Sequence, residues 1–66
     1  MNTEALGSHL TYLNNALTML ADIEKRQARQ PLDFNNPQMQ ELIKLCSQQI
    51  IQNAVAAKQI LNKNNG

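Results

Sequence analysis

The two prolines of this chain, Pro31 and Pro37, stand six positions apart near its middle, and nothing constrains the fold more. A proline drives the residue before it out of the helical region and lacks the N–H a helix interior needs, so no continuous helix can pass Gln30. Asn36-Pro37 reads the opposite way, as an N-cap followed by proline at the first helical position. The segment 30–36, QPLDFNN, is therefore a connection that ends one helix and starts another. Leu32 and Phe34 are apolar within it and are expected to fold back over the open end of the helix pair.

On either side of that break the apolar residues recur with a helical period. Leu6, Leu10, Leu13, Leu17 and Leu20 alternate in steps of four and three, which sets them on one stripe of a helix running from about residue 4 to 29. Ala16 and Ile23 widen the stripe. Gly7 weakens the first turns, by up to about 1 kcal/mol relative to alanine. Asp22 is placed to pair with Arg26 one turn on, and Lys25, Arg26 and Arg29 gather at the negative end of the helix dipole. After the break, Met39, Ile43, Cys46, Ile50, Ala57 and Leu61 share a face of a second helix, from about 37 to 62, with Leu42, Ala54 and Ile60 at its margins. Two helices of similar length joined by a short connection predict an antiparallel hairpin forming a single domain over 1–66. The tail 63–66 is polar and expected to be disordered.

A hairpin of 66 residues has little core, since a chain this short buries only about 60% of its unfolded surface. Small scaffolds are usually reinforced by disulfides, a metal or association. Cys46 is the lone cysteine, which excludes an internal disulfide, and Cys46 with His9 falls short of the four ligands of a closed zinc site. Association remains, so the hairpin is expected to join a larger helical bundle. Six Lys and Arg against five Asp and Glu leave a formal charge of +1, which does not suit a nucleic-acid or anionic-lipid partner. No apolar run approaches the roughly 18 residues of a membrane span, and the N-terminus does not read as a signal peptide. These features predict a soluble, cytoplasmic protein with no membrane partner.

The chemistry-bearing residues are few. His9 has no nucleophile or acid placed beside it by the helical repeat and reads as a rim or surface histidine. Cys46 lies in the second stripe, where a free cysteine behaves as a small apolar residue rather than a reactive thiol. The carboxylates Glu4, Asp22, Glu24, Asp33 and Glu41 are scattered, and no glycine-rich phosphate loop exists. The expectation is a non-enzymatic protein with no cofactor, no metal and no small-molecule substrate. Apolar residues off the two stripes carry more information: Leu45, Ile51 and Val55 on the second helix, Tyr12 and Met19 on the first. A lone hairpin leaves them wet, so they are the candidate partner-binding residues, for a helix-in-groove contact with another helical protein or a second copy.

The Asn-Asn-Pro turn and the Gln-rich amphipathic helix after it, NNPQMQELIKLCSQQIIQNAVAAKQIL, resemble small helical components of bacterial type III secretion systems. Two groups share the pattern: the cytoplasmic E-type co-chaperone of the needle subunit, and the needle subunit itself. A needle subunit has a longer polar N-terminal segment and a tighter turn than QPLDFNN, so the resemblance favours the co-chaperone. It implies a hairpin without a catalytic site that works with a second, helical-repeat chaperone to keep an aggregation-prone subunit soluble. Tyr12, Met19, Leu45, Ile51 and Val55 would be its contacts. The alternative is a homodimeric four-helix-bundle RNA-binding regulator of the plasmid copy-control type, using the basic face at Lys25, Arg26 and Arg29. The near-neutral charge and single tyrosine and phenylalanine count against it.

Overall fold

The computed structural model describes residues 2–65, which form two α-helices: α1 (Thr3–Arg29) and α2 (Pro37–Asn65). They pack side by side and antiparallel into an all-α hairpin of 47 × 19 × 15 Å, with no strand among the described residues. Each boundary has a local cause. Asn2 caps α1, its side-chain oxygen accepting from the Ala5 N–H at 3.0 Å. At the other end Gln30 takes φ −149° and ψ 115°, the extended conformation that Pro31 imposes on its predecessor, while its N–H still donates to the Arg26 carbonyl. Asn36 caps α2 by accepting from the N–H groups of Gln38 (2.8 Å) and Met39 (3.4 Å).

The connection holds its shape through side chains as well. Gln27 reaches from the last turns of α1 to accept the Leu32 N–H, and Asp33 accepts from the Asn35 N–H at 3.0 Å, a turn stabilised by a short acceptor. Leu32 is half-buried, as the expected fold-back requires. Phe34 is not: it stays exposed, its backbone carbonyl taken up by the Gln40 side-chain amide.

The seam between the helices differs from the leucine stripe. On α1 the inward positions are Leu6, His9, Leu13, Ala16, Leu20, Ile23 and Gln27, and on α2 they are Met39, Ile43, Cys46, Ile50, Asn53, Ala57 and Ile60. Both runs alternate steps of three and four, the spacing of a coiled-coil seam. Leu10 and Leu17 lie outside it, 51% and 47% exposed. Leu6, Leu13 and Leu20 belong equally to both possible α1 stripes, and the stripe through His9 and Ala16 prevails because it matches α2. Among the described residues Ala16, Cys46 and Ala57 are the buried apolar ones, all small, which lets the two backbones approach. On α2, Ile60 rather than Leu61 turns inward, and Ala54 is exposed. No described side chain is fully enclosed.

Helix α2 runs on through Asn65, three residues beyond its expected end and through most of the segment expected to be a disordered tail. Nothing in 61–65 stops a helix, and Lys63 in the last turn suits the dipole there. Gly66, the last residue of that expected tail, lies outside the described residues.

Candidate functional site

Packing α1 on α2 leaves a groove along one face of the hairpin. The helix flank at Tyr12, Asn15 and Met19 forms one wall, Leu42, Leu45 and Gln49 form the other, and Ala16 and Cys46 form the floor. The groove holds about 320 Å³. Both walls follow from the seam. Tyr12 and Met19 are seven residues apart, two helical turns, and so are Leu42 and Gln49, so each pair stacks along one flank at the same offset from the inward stripe.

The lining carries no charge. Tyr12 is 56% exposed and Met19, Leu42 and Leu45 are also exposed, so four large apolar side chains meet water around one trough. Beneath them the Cys46 thiol donates to the Met19 thioether sulfur at 3.3 Å, and Cys46 is otherwise buried. A thiol enclosed against a thioether is a packing group, with neither the exposure nor the cationic neighbour that makes a nucleophile.

Three of the five residues singled out in the sequence, Tyr12, Met19 and Leu45, come together here. Ile51 and Val55 do not line the groove. They are exposed on the outer side of α2, roughly 130° and 170° around the helix from its inward stripe. Leu42, assigned to the margin of the core by periodicity, is instead a groove wall. Its signal was available, because Leu42, Leu45 and Gln49 form a second three-four run beside the inward one.

His9 sits in the seam rather than at the rim. Its Nδ1 is 2.9 Å from the Asn53 side-chain oxygen, and the Asn53 amide nitrogen donates to the Gln49 carbonyl at 2.7 Å and to the Gln49 side-chain oxygen at 3.2 Å. Asn53 is thus buried and satisfied. Of the basic cluster, Arg26 pairs with Asp22 at 3.1 Å in an exposed contact, and Lys25 and Arg29 are in solvent away from the groove. Neither helix is long and apolar enough to cross a membrane. No family model matches the chain, no curated protein matches it in sequence, and no solved structure matches its fold.

Proposed function

We propose that this chain is a non-enzymatic, chaperone-like adaptor that receives an amphipathic helix of a partner protein in the groove between Tyr12, Met19, Leu42 and Leu45. The observation carrying this reading is the uncharged lining: two walls bearing four exposed apolar side chains over a floor of small residues suit the apolar face of a helix and give a phosphate backbone nothing to hold. The resemblance to E-type co-chaperones supplies the partner class, a type III secretion needle subunit together with its helical-repeat chaperone. Covering the groove would stabilise both sides, because among the described residues this hairpin encloses no large side chain of its own.

The test is titration of the chain with the needle subunit and helical-repeat chaperone from the same organism, read by light scattering coupled to size exclusion. A defined complex is expected, weakened at least tenfold by Tyr12→Glu with Leu45→Glu, since a carboxylate forced into an apolar interface costs over about 1.4 kcal/mol. A complex indifferent to the double substitution overturns the reading.

A further inference from the structure

The hairpin has too much surface for its mass. A compact folded monomer of 7.4 kDa exposes roughly 4,200 Å², whereas this chain exposes 5275 Å². The excess, about 1,000 Å² per chain, is close to the roughly 800 Å² that each partner buries in a standard interface.

The groove is also placed symmetrically. Tyr12 lies nine residues from the start of α1 and Met19 ten from its end, so the groove is centred on the helix. A two-fold axis perpendicular to the helices at that point superposes the α1 ends of two hairpins and sets Tyr12 of each copy over Met19 of the other. That is the pairing of an aromatic ring with a thioether, made twice. Charge is compatible with this arrangement. In α1 the acid Glu4 is in the first turn and Arg26 and Arg29 are in the last, so reversing one copy brings opposite charges together at both ends. Two α1 helices stacked in the same direction would bring like charges together.

We infer that, in the absence of another partner, a second copy of this chain occupies the groove, giving a two-fold four-helix bundle in which α1 packs antiparallel against α1. The inference rests on the groove being a protein-binding surface and names its occupant. A partner helix therefore competes with the second copy for the same residues.

Sedimentation of the full chain at micromolar concentration tests it. The expected mass is twice 7.4 kDa, falling on dilution, and Tyr12→Glu with Met19→Glu should raise the dimer dissociation constant tenfold or more. Because that variant could also perturb folding, a cross-link serves as the second readout. In a Cys46→Ala background, Asn15→Cys places a thiol next to the proposed axis and should yield disulfide-linked dimer under mild oxidation, while Thr18→Cys on the outer side of α1 should not. A helical chain that stays monomeric at every concentration overturns the inference, as does a dimer that links through Thr18→Cys and not Asn15→Cys. If the chain is monomeric and Tyr12→Glu with Leu45→Glu still abolishes the needle-subunit complex, the second-copy inference fails and the adaptor reading stands. If the dimer forms through Asn15→Cys and no complex is found, the reverse holds.

Discussion

His9 on α1 and Asn53 on α2 meet across the seam at 2.9 Å, a polar pair in a largely apolar interface. The Asn53 amide is engaged with Gln49, so its oxygen faces the ring and His9 Nδ1 must carry the proton. Such a pair contributes little net stability but penalises every alignment that separates its members, so it fixes the register of two helices whose other seam residues are mostly apolar.

Breaking the pair on one side should therefore cost more than removing it. Asn53→Leu alone leaves the His9 ring without its acceptor and is expected to destabilise the hairpin by about 1–3 kcal/mol. His9→Leu combined with Asn53→Leu should recover most of that loss. Urea unfolding of the two single variants and the double measures the coupling, and additive effects would show that the contact is not energetically formed.

Gly7 lies inside α1, and a Cβ built on it meets no atom within 4 Å. Gly7→Ala should then gain only the entropy that glycine loses in a helix, about 0.5–1 kcal/mol. For a domain this small that corresponds to a rise in Tm of roughly 2–8 °C by circular dichroism. A fall in Tm would mean that the site is more crowded than the hairpin shows.

Ile50 and Ile51 are neighbours in sequence on opposite sides of the fold boundary. Ile50 is half-buried in the seam; Ile51 is 62% exposed, and Val55 one turn on is exposed with it. Ile50→Asp sets an unpaired carboxylate against the aliphatic seam and should destabilise the hairpin by about 1–3 kcal/mol, enough to lower its helicity. Ile51→Asp with Val55→Asp should leave helicity unchanged and shift stability by less than about 0.5 kcal/mol each. Because both residues lie away from the groove, that variant should also retain whatever association Tyr12 and Met19 support. Circular dichroism and sedimentation of the two variants decide the matter. Loss of association in the second would place a further interface on the outer side of α2.

The sequence by itself determined the two helices, the break between them and their antiparallel pairing. Those features are set locally: Pro31 forces Gln30 extended, Asn36 caps α2, and a connection of this length returns the chain on itself. Only the tertiary structure decided which stripe of α1 faces inward. Leu6, Leu13 and Leu20 fit a seam through Leu10 and Leu17 as well as one through His9 and Ala16. One helix's periodicity cannot separate the two, because the difference lies in what α2 offers opposite: small Cys46 and Ala57 for close approach, and Asn53 for the His9 proton. The same choice, a rotation of α1 by roughly 40° about its axis, turned Leu10 and Leu17 outward. It also brought Tyr12 and Met19 level with Leu42 and Leu45 and left Ile51 and Val55 apart from them. Apolar character on a flank is visible residue by residue, but a groove exists only where two flanks meet, and their meeting is a property of the packed pair.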